Sequence, residues 1–148
     1  MADIRHRVGI AAPPARVFEA LSTTEGLAGW WTQDVDGDPN QGGTLRFFFG
    51  TAEPTASMEV VDVTPDAHVG WRCVQGPDEW FGTTLDFDLR AAHDETVVLF
   101  THGGWSEPVE FLHHCSTKWA YFLLGLKASL EGGKAKPFPV DAKISSWG

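Results

Sequence analysis

Apolar and polar residues alternate along most of the chain with the two-residue period of β-strands. The pattern predicts six strands, at residues 4–11, 44–50, 56–64, 68–75, 80–90 and 96–102. The alternation is clearest at 80–90, where Phe81, Leu85 and Phe87 face one way and polar residues face the other. Because short connectors join the last five segments, we expect antiparallel neighbours with one apolar face and one solvated face.

Helical periodicity occurs in three places. Pro14 suits a first helical turn, and Thr24 is a candidate cap for a second short helix that runs through Trp30 and Trp31. Ser106 is a candidate cap for a long helix at 107–130, and residues 33–43 are predicted to form a loop. The long helix carries one apolar stripe, formed by Leu112, Cys115, Ser116, Trp119, Phe122, Leu123, Leu126 and Leu130.

These elements predict an α+β fold. A curved antiparallel sheet of about six strands would wrap around the long C-terminal helix, with the two short helices after the first strand. Such an arrangement tends to leave a hollow between sheet and helix that suits a small molecule. We assign residues 1–133 to this domain and residues 134–148 to a C-terminal tail, with four candidate anchors: Phe138, Val140, Ile144 and Trp147.

Chain length, charge and cysteine content indicate which classes of protein and of binding partner this sequence suits. The 148 residues suit one domain, and the formal net charge of −9 disfavours binding to nucleic acid or to anionic membranes. The longest apolar run, at 119–126, is too short to span a bilayer. With no signal peptide at the N-terminus and only Cys73 and Cys115 as thiols, we expect a cytoplasmic protein with reduced cysteines.

Large aromatic residues are abundant, with seven Trp and ten Phe but one Tyr. If they converge on the hollow, the leading hypothesis is non-catalytic binding of a hydrophobic small molecule; ordinary core packing is the alternative. Trp30 and Trp31 are adjacent, so we expect only one of them to face inward from the helix. The predicted ligand-binding residues are Trp30, Trp31, Phe47, Trp71, Phe81, Leu85, Phe87, Trp119 and Phe122.

Two polar residues are weak catalytic candidates. His102 ends the last predicted strand, and Ser116 is the one hydroxyl in the apolar stripe. Both also have structural interpretations, since His102 could bond to backbone and Ser116 to the carbonyl of Leu112. A cyclase- or dehydratase-like enzyme acting on a hydrophobic substrate is therefore an alternative function.

We expect neither a metal nor a cofactor. Glu110, His113 and His114 have helical spacing, but the helical wheel places them away from the apolar stripe, in solvent. The glycine pairs at 42–43, 103–104 and 132–133 match no dinucleotide or phosphate-binding motif.

Several strings resemble a known family. Residues 12–21, Ala-Pro-Pro-Ala-Arg-Val-Phe-Glu-Ala-Leu, look like the opening of the START-like (SRPBCC) superfamily. Residues 24–31 with Gly42-Gly43 resemble its branch homologous to the activator of the heat-shock chaperone ATPase. Residues 63–66, 100–104 and 119–131 also fit, so the resemblance covers about 4–133.

The resemblance implies a helix-grip fold with a ligand cavity, but members differ in function. Because they include chaperone activators, a chaperone-interacting module is a further alternative, as a monomer or a homodimer. Three features depart from the pattern. Lys118 stands where similar proteins often carry Gly, the connection at 50–56 is long, and the tail has no counterpart.

Overall fold

The computed structural model describes all 148 residues and has the predicted α+β architecture. One curved antiparallel sheet has the strand order β1-β7-β6-β5-β4-β3-β2. The strands are β1 (Ala2–Ile10), β2 (Asp34–Gly37), β3 (Thr44–Phe48), β4 (Ala56–Thr64), β5 (His68–Gln75), β6 (Thr84–Ala92) and β7 (Glu95–Trp105). The helices are α1 (Pro14–Ser22), α2 (Thr24–Ala28) and α3 (Glu110–Leu130). The helix-grip prediction is confirmed.

The sheet has seven strands, one more than the pattern predicted. The additional strand, β2, lies in the predicted loop at 33–43 and pairs with β3 at the sheet edge. The alternation pattern missed β2 because its sequence is mostly polar, and an exposed edge strand needs no apolar face. Arg46 of β3 holds it through two hydrogen bonds to Asp36, of 2.7 and 2.8 Å.

Two strand boundaries differ from the prediction because of backbone pairing. Residues 80–83 form a turn, in which the Thr83 N–H donates to the Trp80 carbonyl, so β6 begins only at Thr84. β7 continues through the glycine pair to Trp105, which pairs with Ala2 of β1. The strand therefore does not end at His102 as predicted. Gly104 has a φ of +87° at an irregularity between the Ile4–His102 and Ala2–Trp105 pairs, after which Trp105 pairs with β1 again.

The helix ends also differ by a few residues. Thr23, not Thr24, caps α2, and its Oγ1 accepts from the Gly26 N–H at 2.9 Å. The long helix α3 begins at Glu110, so Ser106 is not its cap. Val109 occupies the N-cap position of α3, so the helix begins three residues after the predicted start.

The core lies between the sheet and α3. Five α3 residues are buried: Cys115, Trp119, Phe122, Leu123 and Leu126. Three other residues of the predicted stripe are only half-buried: Leu112, Ser116 and Leu130. Both cysteines are free and buried. No helix has the length and apolar character needed to cross a membrane.

Candidate functional site

The centre of the molecule is an aromatic cluster built around Trp31. Its ring centroid lies 4.3 Å from that of Phe47, 4.9 Å from Trp119 and 6.1 Å from Trp71. Phe87 joins through Trp71 at 5.1 Å. These rings contact one another directly, so they fill the middle of the predicted hollow.

Most of the predicted pocket walls therefore belong to the core. Five residues are at most 2% exposed: Phe47, Trp71, Leu85, Phe87 and Trp119. None of them lines the cavity beside α3 that is described below. The sequence predicted which residues converge, but the alternation could not reveal whether they meet or leave a space.

Trp30 and Trp31 are both buried, at 1% and 2% exposure, which corrects the expectation that only one could face inward. They follow the end of α2 at Ala28, so helical geometry does not place their side chains. The Trp30 indole N–H donates to the Ala20 carbonyl at 3.0 Å, while Trp31 enters the central cluster.

Phe81 is the one predicted wall residue that lies at the surface, with 69% exposure. The predicted strand would have placed it on the same face as Leu85. Because residues 80–83 turn instead, Phe81 points outward and its predicted interior position is wrong.

A cavity of about 450 Å³ lies beside the aromatic cluster, between the first half of α3, the 77–80 turn and the C-terminal tail. It is lined by Trp31, Phe49, Thr55, Ala56, Pro77, Trp80, Phe111, His114, Cys115, Lys118, Phe122, Phe138, Pro139, Asp141, Lys143, Trp147 and Gly148. Of the predicted ligand-binding residues, Trp31 and Phe122 line it. We refer to it below as the tail cavity.

The tail forms one wall of this cavity. Phe138 is half-buried and packs on Phe49, with 5.3 Å between ring centroids. Its backbone N–H donates to the Trp31 carbonyl, and its carbonyl accepts from the Gln33 N–H. Trp147 is 54% exposed but packs against Phe111. The sequence signals for this wall were the tail's aromatic residues.

One ion pair closes the polar side of the cavity. The Lys118 ammonium donates to Asp141 at 2.5 Å and to the Ala142 carbonyl at 2.8 Å. The two charged side chains are only 15% and 12% exposed. The tail backbone is also held by the Tyr121 hydroxyl, which accepts from the Ala142 N–H at 3.0 Å. Lys118, which stands where similar proteins often carry Gly, thus connects α3 to the tail.

His102 lies inside the core rather than at a strand end. It is completely buried within β7, and its Nδ1 accepts from the Trp119 indole N–H at 3.2 Å. Its Nε2 therefore carries the proton and donates to the Thr83 hydroxyl at 2.8 Å, which donates to the Trp80 carbonyl. Burial lowers the pKa of His102 to about 3. The ring is thus a neutral structural group, fully paired and away from the cavity.

Ser116 faces β1 rather than the cavity. Its Oγ lies 3.3 Å from His6 Nε2, and its backbone carbonyl lies 3.0 Å from the same nitrogen. The proposed bond to the Leu112 carbonyl is replaced by this pair. Neither catalytic candidate from the sequence lines the tail cavity.

The prediction that Glu110, His113 and His114 lie in solvent is wrong for His114. Glu110 and His113 are exposed, but His114 is half-buried and lines the tail cavity. Its ring stacks on Phe111 and lies 3.3 Å from the Ser145 hydroxyl. Burial raises the pKa of the Cys115 thiol to about 12, so it stays protonated. No group of three His, Cys, Asp or Glu side chains has a metal-binding arrangement.

Comparison with known proteins supports the fold. Residues 11–131 match the family model described as activator of Hsp90 ATPase homolog 1-like protein. A search of curated proteins returned no match. The solution structure of the Aha1 dimer from Colwellia psychrerythraea is 40% identical, with a TM-score of 0.83, over 91% of this chain and 100% of that chain.

Two more distant structures share the fold alone. The protein SSP2350 from Staphylococcus saprophyticus is 21% identical, with a TM-score of 0.76, over 92% of this chain and 97% of its own. DynU16, from the dynemicin biosynthetic locus, is also 21% identical, with a TM-score of 0.75, over 92% of this chain and 49% of its own.

Proposed function

Because the chain belongs to the activator of Hsp90 ATPase homolog 1-like family of START-like proteins, we propose that it binds a hydrophobic small molecule without catalysis. The tail cavity is the observation that carries the proposal. Its volume of about 450 Å³ is within the range of small-molecule sites. Its location, between α3 and the sheet side of the domain, is close to the hollow expected of a helix-grip fold.

The composition of the cavity wall supports an apolar ligand. Five separate parts of the chain contribute aromatic rings to the wall: Trp31, Phe49, Trp80, Phe122 and Phe138. Each Å² of apolar surface removed from water contributes about 25 cal/mol before the cost of association. Micromolar affinity needs about −8.2 kcal/mol, which a pocket of this size can supply.

The two catalytic candidates, His102 and Ser116, do not line the cavity. The Cys115 thiol, which does line it, is protonated, and the Lys118 ammonium is paired with Asp141. We therefore favour binding over the cyclase- or dehydratase-like alternative.

The test is a tryptophan-fluorescence titration with neutral aromatic and aliphatic probes. Cys115→Phe places a ring inside the cavity, whereas Thr117→Phe places the same ring two residues along α3 on its exposed face. We expect micromolar binding by the parent and by Thr117→Phe, and at least tenfold weaker binding by a folded Cys115→Phe. If no probe binds the parent, or if Cys115→Phe binds equally well, the proposal fails.

A second candidate function is interaction with the chaperone Hsp90. It is favoured by the 40% identity to the Colwellia protein named Aha1 and by the family description. Adding the purified chain to Hsp90 and measuring ATP hydrolysis tests it. Stimulation that saturates with added chain would support this function, and an unchanged rate together with no complex in a pull-down would reject it.

Homodimer formation is proposed on the same relative, whose structure is described as a dimer. Light scattering of the purified chain across a concentration series measures this directly. A mass that stays at 16.2 kDa throughout would contradict it.

A further inference from the structure

The tail cavity has one strongly polar position. Lys118 reaches it from α3 and is 85% removed from solvent, since its side chain is 15% exposed. Its ammonium lies 5.4 Å from the Tyr121 ring centroid and 5.2 Å from that of Phe122. A desolvated ammonium beside aromatic rings needs an anionic partner, because removing that partner leaves an uncompensated buried charge.

That partner, Asp141, belongs to the tail and not to the sheet or α3. The tail around it is held by few polar contacts, chiefly the two hydrogen bonds of Ala142 to Lys118 and Tyr121. Two of its apolar side chains are more than half exposed, Val140 at 57% and Trp147 at 54%. The Asp141 carboxylate is therefore an anion that can leave Lys118 by a local movement of the tail.

No other side chain on the cavity wall can replace Asp141 as the anionic partner of Lys118. Asp141 is the only Asp or Glu among the lining residues, and Lys143 belongs to the same tail segment and moves with it. Once Asp141 withdraws, the Lys118 ammonium stays on α3 with no side-chain acid beside it, in a protein whose net charge is −9. An unpaired ammonium in a desolvated site favours a replacement anion.

We infer that the tail cavity takes an apolar acid, whose carboxylate binds Lys118 in place of Asp141 while its apolar body packs on the aromatic wall. The inference rests on the proposed function and names the chemical class of its ligand. Asp141 acts as a built-in competitor for the anion position. Ligand binding and detachment of residues 141–148 from α3 are then coupled.

The experiment compares 2-naphthoic acid with 2-naphthamide, which has the same rings but no charge, by calorimetry on the full chain. We expect the acid to bind at least tenfold more tightly than the amide. Asp141→Asn should strengthen acid binding about fivefold or more and change amide binding less than twofold. Lys118→Met should abolish the preference for the acid. Lys134→Met, which removes an exposed tail lysine, is the charge-matched control and should keep that preference.

Detachment of the tail has its own measurement. Lys143 is an exposed trypsin site within the tail, so its cleavage rate reports the fraction of detached tail. We expect the acid to accelerate cleavage after Lys143 at least threefold, and the amide to leave it unchanged. Equal acceleration by both probes would overturn the competition between Asp141 and the ligand.

The outcomes separate the inference from the proposed function. If the acid and the amide bind equally to the parent, the cavity still binds apolar molecules and only the acid inference fails. If neither binds, the proposed function fails. If Lys118→Met does not fold, Asp141→Asn still decides, because unchanged or weaker acid binding in that variant would overturn the inference.

Discussion

The space between the sheet and α3 has two halves that differ in how it is filled. Around Trp119 the space is solid: the rings of Trp31, Trp80 and Phe100 pack on it. The buried polar groups His102 and Thr83 are paired. Around Lys118, one residue earlier on the same helix, a cavity remains and a separate tail segment covers it. Trp119 therefore faces a filled core, whereas the neighbouring Lys118 faces a cavity that the tail covers.

The comparison teaches that aromatic abundance has two uses in this fold. In the sealed half, direct ring contacts provide dispersion and exclude any ligand. In the pocket half, the rings line space that no other part of the chain fills. Burial contributes to stability in the first half and leaves apolar surface available for binding in the second. The predictions below test this contrast, from the largest expected effect to the smallest.

Truncating Trp119 should have the largest effect on stability. Trp119→Ala removes a 2%-exposed ring and the hydrogen bond to His102, so we expect a loss of about 3–5 kcal/mol in the free energy of unfolding. Trp147→Ala, in the half-exposed tail, is the matched control and should cost less than about 1 kcal/mol. Urea denaturation measures both, and similar losses would remove the distinction between the halves.

Acid should destabilise the sealed half through His102. Its pKa in the folded state is about 3, against 6.5 for the ordinary histidine, so below pH 6.5 only the unfolded chain takes up this proton. Stability should therefore fall as pH drops, by about 1.6 kcal/mol between pH 6.5 and 5 from this group alone.

The control replaces the histidine with a side chain that does not titrate. In His102→Gln the pH-dependence of unfolding between pH 6.5 and 5 should become shallower by about that amount, whatever the variant's overall stability. An unchanged slope would show that the folded state accepts the proton at His102.

The smallest effect concerns the solvated face of the sheet. Burial lowers the pKa of His68, but hydrogen bonds to Asp62 and Asp86 outweigh it, and the net pKa is raised above its ordinary 6.5. A raised folded-state pKa means that this cluster stabilises the protein below pH 6.5 and loses that contribution as pH rises through the folded pKa.

NMR titration of the imidazole measures this shift directly. We expect the His68 midpoint to lie above 6.5 in the parent and to fall in Asp62→Asn, because a paired carboxylate is removed. The associated change in stability should be small, since pairs at a solvated surface contribute about 0.2–1 kcal/mol. A midpoint at or below 6.5 in the parent would contradict the pairing.

The periodicity of single segments was sufficient to predict most of the fold. β4 and β5 have the predicted bounds, and the buried positions of α3 at Cys115, Trp119, Phe122 and Leu126 follow the helical wheel. In these elements, each side chain faces either solvent or the core according to its position along the strand or helix. The order of apolar and polar residues in the sequence therefore predicts them directly. The family resemblance rested on strings of the same local kind.

Only the tertiary structure decided where space remains. The predicted walls at Phe47, Trp71 and Phe87 converge as expected, but whether converging rings touch or leave a cavity depends on distances of a few ångströms between distant segments. The edge strand β2 and the outward turn at Phe81 were set by backbone hydrogen bonds to other strands. The pairing of Lys118 with Asp141 joins residues 23 positions apart, and no periodic pattern encodes such a contact.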